Sequence, residues 1–300
     1  GQVVKLVFEK YAGIQTSAPQ GFEFALYGSP VINDKTLAIV ISSSGRVSKA
    51  RDTLNKVIGS NAIVLGITDN NHVGNPFITK PDMYIIPGGN KKGWPTQTTL
   101  AAISLLLDLA IELGEQLNNI SPTYANEIRE FLQRSPELIK NLLWKSKEIA
   151  KKVSRDLVDC PMHTFIGSGP GYGIANLGSA LLAESVQKPS IVLPVEEYHH
   201  SLRFGVLSQN NIPILISITE EASERFLETA ESIRNMKLPF ISLSRRSEEE
   251  LLSLASWSFT IPNIPGPISG LLALVPLHVW SIELAKNILE RGYKRPSFVP

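Results

Sequence analysis

The chain has a single cysteine, Cys160, among its 300 residues. One thiol excludes an intrachain disulfide framework and a multi-cysteine metal site, and it points to a reducing compartment, most simply the cytoplasm. Charge of one sign is missing too: 29 basic side chains stand against 28 acidic ones, a formal net charge of +1. Without a basic tract, nucleic-acid binding has no electrostatic footprint. The first residues, Gly1-Gln2-Val3-Val4-Lys5, lack the charged, apolar and cleavage regions of a signal peptide. The longest apolar stretch, 101–113, is interrupted by Ser104 and Asp108; it reads as too short to cross a bilayer and predicts a buried helix. Neither a nucleic acid nor a membrane is an expected partner.

Hydrophobic residues make up 43% of the chain and charged residues 19%, with a mean hydropathy of +0.04. A chain this apolar buries enough surface to offset its ordering entropy, which excludes disorder as its overall state. At 32.9 kDa it is too large for one small core, and about two domains are expected. Short apolar runs alternate with longer amphipathic ones, the pattern of a parallel sheet covered by helices. Strands are predicted over 37–42, 62–68 and 83–86, a helix over 51–58, and a long helix from Thr96 onward. Residues 120–159 are charged and helical in period; they read as a connector broken at Pro122 and Pro136, with no chemistry of its own.

The alternation then restarts. Strands are predicted over 163–167, 190–193, 214–218, 240–244 and 257–261, and helices over 174–186, 222–235 and 276–291. The halves read as two copies of one α/β module, 1–120 and 160–300, joined by the connector 121–159. The expected fold class is α/β, each module a parallel sheet flanked by helices in three layers.

Three clusters carry possible chemistry. Ser42-Ser43-Ser44-Gly45-Arg46 ends a strand and opens a helix. Unsatisfied N–H groups and serine hydroxyls there would cradle a phosphate, and Gly45 would let the backbone approach; a plain helix N-cap is the competing reading. Gly167-Ser168-Gly169-Pro170-Gly171-Tyr172-Gly173 follows a strand, but its spacing is not the dinucleotide fingerprint and no acidic residue follows a second strand at the required distance. A tight turn with close backbone packing competes there, and no nucleotide is expected. Glu184 lies in the apolar helix SALLAESV, where burial would suit it to proton transfer. Glu196, Glu197, His199 and His200 follow in what reads as an extended loop, open to three readings: acid–base chemistry, a metal site, or a solvated polar loop. Adjacent histidines on such a loop would point in opposite directions, so a metal would take only one. His72, His163 and His278 read as structural, and Trp144, Trp257 and Trp280 as packing residues, with Trp94 the one tryptophan placed to line a pocket. Cys160 reads as a packed thiol.

Taken together, these pieces resemble the tandem sugar isomerase (SIS) domain proteins, in particular the isomerase half of glucosamine-fructose-6-phosphate aminotransferases and the SIS-type glucosamine-6-phosphate deaminases. IVISSSGRVSKA is similar to the family signature iS-x-SG-x-T, and GWPTQTTLAAISLLL to its sTK-x-x-T segment. IGSGPGYGIANLGSALLAESV, VEEYHHSLRFGV and VPLHVWSIELAKNILERGYKRP resemble later family segments in the family's order. The resemblance places a sugar phosphate on Ser42, Ser43 and Ser44 with Gly45 and the adjacent Ser48, Thr96 closing the pocket, and Gly167 and Ser168 in the substrate region. It makes Glu184 the base moving a proton between C1 and C2, and His200 the residue that opens the ring, often delivered from a neighbouring subunit. It implies a cytoplasmic homodimer whose partner molecule is a phosphorylated hexose or amino sugar, with no cofactor and no metal.

The departures are specific. Val47 stands where the signature has threonine, Leu181-Leu182-Ala183-Glu184 where the aminotransferases read K-L-K-E, so that a Schiff-base lysine is missing, and Ser201-Leu202 where Gly-Pro follows the histidine. The tail Phe298-Val299-Pro300 ends before the family's C-terminal lysine, and GQVVKLVFEKYAGI reads as the helix after a first strand that the sequence does not contain. The expected function is isomerisation or deamination of a hexose 6-phosphate. A non-catalytic sugar-phosphate sensor is the alternative.

Overall fold

A computed structural model describes residues 1–28, 31–90, 95–208 and 210–292. The chain divides into two units: one comprises Gly1 and residues 17–106, the other residues 2–16 and 107–300. Each is an α/β arrangement of parallel strands flanked by helices.

The first unit holds α2 (Gly21–Tyr27), β1 (Leu37–Ile41), α3 (Ser48–Ile58), β2 (Ile63–Ile67), α4 (Pro76–Thr79), β3 (Met83–Ile85) and the start of α5 (Gln97–Gln116). The strands run parallel in the order β1-β2-β3, with Leu37 opposite Ile63 and Leu65 opposite Met83. Val40, Val64, Leu54, Val57 and Phe77 form the core, which joins α3 and α4 to one face of the sheet.

The second unit begins with α1 (Gln2–Val7), which continues into a π-turn over Phe8–Ala12. After α5 come α6 (Pro122–Asp156), β4 (Met162–Gly167), α7 (Pro170–Val186), β5 (Ser190–Pro194), α8 (Val195–Glu197), a second π-turn (Tyr198–Leu202) and α9 (Arg203–Val206). β6 (Asn211–Ser217), α10 (Ser223–Asn235), β7 (Ile241–Arg245), α11 (Glu249–Leu254), β8 (Trp257–Ile261) and α12 (Gly266–Glu290) complete it. All five strands are parallel, in the order β5-β4-β6-β7-β8. The chain steps from β4 to β5 on one side and then to β6 on the other, so the strand order reverses at β4, where open sheets place their ligands. Neighbouring residues of β4 serve opposite faces. Ile166 joins Leu215, Phe226, Ala230 and Ile233 in a core with α10, while a Cβ at Gly178 of α7 would lie 2.5 Å from the Phe165 ring. Burial on both faces explains why these strands read as continuous apolar runs.

Several sequence expectations change. α6 is one 35-residue helix, not a broken connector. Pro122 occupies the first helical turn after the cap Ser121, where a missing N–H costs nothing, and the helix runs through Pro136. Pro136 is exposed and cannot donate to the Leu132 carbonyl. We expect Pro136→Ala to raise the urea midpoint, a gain of about 1–3 kcal/mol; an unchanged or lower midpoint would show that the proline is accommodated without cost.

α12 begins ten residues earlier than predicted, at Gly266, and carries Pro276 in its interior. Proline near its first position starts it, so the NIPGPISG segment is mostly helix. α5 and α12 are both long and apolar enough to cross a membrane by length and composition, which corrects the expectation that no stretch is long enough. The most apolar window of α12 is 94% buried, which makes it the core helix of its unit, packed against α6 and α7; that of α5 is only 39% buried. Of the tryptophans, Trp280 is fully buried and Trp257 donates to Asp156 Oδ2 at 2.8 Å, but Trp144 is 69% exposed and packs no core. Trp94 lies outside the described residues. The Cys160 thiol contacts the Met162 carbonyl oxygen at 3.1 Å, and burial raises its pKa.

His163 is fully buried edge-on to Trp280, with ring centroids 5.5 Å apart, and neither ring nitrogen has a partner among the described residues. Burial, with a smaller contribution from Lys188, pushes its pKa down to about 3; burial pushes that of His278 to about 4. Unfolded histidines titrate near 6.5, so as pH falls the unfolded state takes up protons first. The stability held by these neutral rings is present above about pH 6.5 and is lost as pH drops towards 4. Between pH 7.5 and 5 each should lose on the order of 2 kcal/mol. Urea midpoints at the two pH values measure this, and the difference should shrink when both histidines are replaced by leucine.

Candidate functional site

The first cluster lies at the carboxyl ends of β1, β2 and β3. The Ser42 N–H donates to the Ile67 carbonyl at 2.9 Å, which ties the loop after β1 to the end of β2. Gly45 N–H is shared between the Ser42 carbonyl and Ser42 Oγ, both at 3.2 Å, and Arg46 N–H donates to Ser44 Oγ at 3.2 Å. Both serine oxygens thus accept from the backbone, which leaves each hydroxyl proton available for a further partner. Ser42 is buried, while Ser43 and Ser44 are half-buried. Beyond the loop α3 starts at Ser48, and Val47 at its cap position makes no side-chain cap hydrogen bond to the first-turn N–H groups. The N-cap reading of the serines therefore fails: they stabilise the loop and none caps the helix.

Gly45 has φ +66°, and a Cβ there would overlap Asn75 Oδ1 and lie 2.6 Å from Asn75 Cγ. Asn75 is fully buried; its amide donates to Thr68 Oγ1 at 3.2 Å and its oxygen accepts from Phe77 N–H at 3.0 Å, capping α4. The Ser43 carbonyl accepts from Asp69 N–H at 3.1 Å and Thr68 Oγ1 at 3.3 Å. Thr96 is half-buried immediately before α5, its carbonyl accepting from Leu100 N–H at 3.1 Å. Two further residues join this end of the sheet without having been singled out in the sequence. Asp69 Oδ1 and Thr98 Oγ1 are buried with no partner among the described residues, and a Cβ on Gly89 would lie 3.2 Å from the first oxygen and 2.8 Å from Thr98 Cα. The available signal was polar residues at a strand's carboxyl end, which the turn-rich DNNHVGNP concealed.

In the second unit the glycine-rich segment is less a loop than a helix start, since α7 begins at Pro170 rather than 174. Gly169, at φ +53°, makes the turn, and Gly173 lets α1 approach until a Cβ would sit 2.6 Å from Val3 N. Gly167 and Ser168 border an open cleft of about 310 Å³ with Lys5, Leu6, Tyr172 and Glu196. Glu184 is not there. It is exposed near the far end of α7, 14 residues from Pro170 and roughly 21 Å along the axis at 1.5 Å per residue. Its expected burial in an apolar helix is thus corrected: the helix turns its apolar stripe to the core and Glu184 to the outside.

The histidine segment is also corrected. Tyr198–Leu202 is a π-turn, not an extended loop, so His199 and His200 do not alternate across a strand. His199 is half-buried with Nδ1 3.0 Å from Thr229 Oγ1, and His200 is exposed. Burial, then the Arg225 and Arg203 guanidiniums, holds the His199 pKa below its ordinary value. Among the described residues, no three His, Cys, Asp or Glu side chains are arranged to hold a metal ion. The structure therefore gathers Ser42, Ser43, Ser44, Gly45, Ser48 and Thr96 in the first unit, and carries Gly167, Ser168, Glu184 and His200 at separate places in the second.

No family model matches the chain. Among curated proteins it is 25% identical over 299 residues to the glutamine–fructose-6-phosphate aminotransferase of Caldanaerobacter subterraneus subsp. tengcongensis, covering 97% of this chain and 47% of that protein. The chain thus spans about half the length of the curated relatives it matches. Among solved structures, the C-terminal domain of glucosamine-fructose-6-phosphate aminotransferase from Francisella tularensis superposes with a TM-score of 0.87 at 19% identity, covering 95% of this chain and 80% of that one. The glucosamine-6-phosphate deaminase of Thermotoga maritima does so with a TM-score of 0.67 at 18% identity, covering 98% and 82%. The resemblance carried by the motifs holds: the homologues are the isomerase (SIS) domain of the aminotransferase, and the structural neighbours share its fold.

Proposed function

We propose that this chain is a sugar-phosphate isomerase or deaminase acting on a hexose 6-phosphate of the glucosamine 6-phosphate or fructose 6-phosphate type. The observation that carries the reading is the loop after β1, where Ser42 Oγ and Ser44 Oγ accept from the backbone and so keep a hydroxyl proton to give a ligand, beside a helix start whose cap residue makes no side-chain hydrogen bond. Such a site offers an anion many neutral donors and a partial positive charge without a salt bridge. Ser42, Ser43 and Ser44, with Gly45 and Ser48, hold the phosphate, Thr96 closes the pocket, and Gly167 and Ser168 take part in substrate binding. The acceptor oxygen of Asp69, beside the loop, suits the hydroxylated end of the same ligand.

In this reading Glu184 moves the proton between C1 and C2, and His200 moves the proton of the ring oxygen. A phosphate held at a distance supplies the binding energy that orients the reacting carbons. Both residues are exposed, and the reading takes the chain as a cytoplasmic homodimer, with neither metal nor cofactor, in which His200 serves the neighbouring subunit. Two SIS modules, 1–120 and 160–300, around the connector 121–159 complete the reading; what supports the duplication is that β1-β2-β3 and β6-β7-β8 repeat the same parallel order, while residues 2–16 and 107–159 fall with the second unit.

A non-catalytic sugar-phosphate-binding protein is the second reading. It is favoured by the exposure of Glu184 and His200 and by Leu181 in place of a lysine. Assaying fructose 6-phosphate and glucosamine 6-phosphate for turnover, alongside thermal-shift binding, separates the two. Turnover supports the first, a shift without turnover the second, and neither overturns both.

A further inference from the structure

The segment that carries His200 is fastened along one face of α10. Glu196 Oε2 meets Arg225 Nε at 2.7 Å, His199 Nδ1 meets Thr229 Oγ1 at 3.0 Å, and Arg203 Nη1 donates to Ser232 Oγ at 2.7 Å. Residues 196, 199 and 203 thus step along 225, 229 and 232, the spacing of one face on each helical segment. Between them Tyr198 is fully buried in the core with Phe226, Ala230 and Ile233. His200 is the next residue but one along the turn and is exposed.

We propose that His199 and Thr229 are positioning residues for His200: the imidazole–hydroxyl contact latches the π-turn to α10 and sets the direction of the next side chain. The role rests on the functional reading above, in which His200 serves the ring oxygen. The bonding fixes the donor. Thr229 Oγ1 gives its one proton to the Arg225 carbonyl at 2.7 Å, so towards His199 it can only accept. The structure therefore assigns the proton of neutral His199 to Nδ1. The charged groups facing this ring are Arg225 and Glu228 from α10 and Glu196 and Arg203 from its own segment. Thr229 is 1% exposed, so water cannot replace its oxygen.

Histidine side-chain 15N spectra of the whole protein at pH 7.5, with His199 and His200 assigned by single substitution, test the latch. Wild type and Thr229→Ser should show His199 protonated on Nδ1, and Thr229→Val should lose that preference. With fructose 6-phosphate as substrate, Thr229→Val should lower kcat about tenfold while KM stays within about twofold, and Thr229→Ser should restore kcat. A wild-type ring protonated on Nε2 overturns the proposal without any variant, as does a Thr229→Val protein with wild-type kcat. If wild type turns over no hexose 6-phosphate, the functional reading fails and the spectra alone decide. A His200 signal that shifts in Thr229→Val but not in Thr229→Ser then supports the latch, and one indifferent to both overturns it.

Discussion

Glu184→Gln is expected to lower the turnover of a hexose 6-phosphate by two to four orders of magnitude and to change its affinity by no more than about twofold. The amide keeps the shape of the side chain and loses the basic oxygen, so an effect confined to kcat marks loss of the proton acceptor. Because Glu184 is exposed on α7, stability should stay within about 0.5 kcal/mol of wild type, and a lower melting point would point to a structural cause instead. Solvent exchange gives an independent readout. A carboxylate that shuttles the proton between C1 and C2 lets deuterium from the solvent enter at the carbon that receives it, and Glu184→Gln should abolish that exchange. Turnover within about threefold of wild type would remove Glu184 from the chemistry. The serine loop would then stand as a binding site only, the second reading.

The strands were the most legible part of the sequence, and the reason is physical. LAIVI, IVLGI and FIG are short β-branched or apolar runs whose burial leaves little alternative, and the observed strand limits lie within a residue or two of the expected ones except for β6, which starts at Asn211 instead of 214. Proline misled where its position within a helix mattered. Pro122 and Pro267 sit in first turns and start helices, Pro136 and Pro276 lie inside helices that tertiary packing carries through, and a scan of composition cannot distinguish the two. The candidate site was legible as residue types but not as surroundings. SSSG announces hydroxyl donors, yet nothing in the sequence says that Asn75 lies against Gly45 or that Asp69 reaches the Ser43 carbonyl through its N–H. Those neighbours are brought in by β2 and α4, 30 residues on for Asn75 and 26 for Asp69. The histidine turn was misread for a related reason: EEYHHSL has no apolar period, and its helical form depends on Tyr198 entering a core shared with α10.

Gly45→Ala should weaken hexose 6-phosphate binding at least tenfold and destabilise the first unit, whereas Gly74→Ala should cost only the strain of a left-handed backbone, about 1–2 kcal/mol. The two glycines make a controlled pair. Both have positive φ, +66° and +77°, but an added Cβ meets Asn75 at the first and nothing within 4 Å at the second. Asn75 cannot turn aside cheaply, because the same amide caps α4 at Phe77 and holds Thr68. The overlap must therefore be relieved by moving the loop, and the loop is what arranges Ser42 and Ser44. Thermal unfolding with and without glucosamine 6-phosphate separates the two costs: both variants should melt lower, but only Gly45→Ala should lose the ligand-induced shift. Adding Asn75→Ala to Gly45→Ala removes the overlap along with the cap, so it should recover part of the binding while leaving stability low. Full ligand response in Gly45→Ala would show that the phosphate does not depend on this loop, and the serines would lose their assigned role.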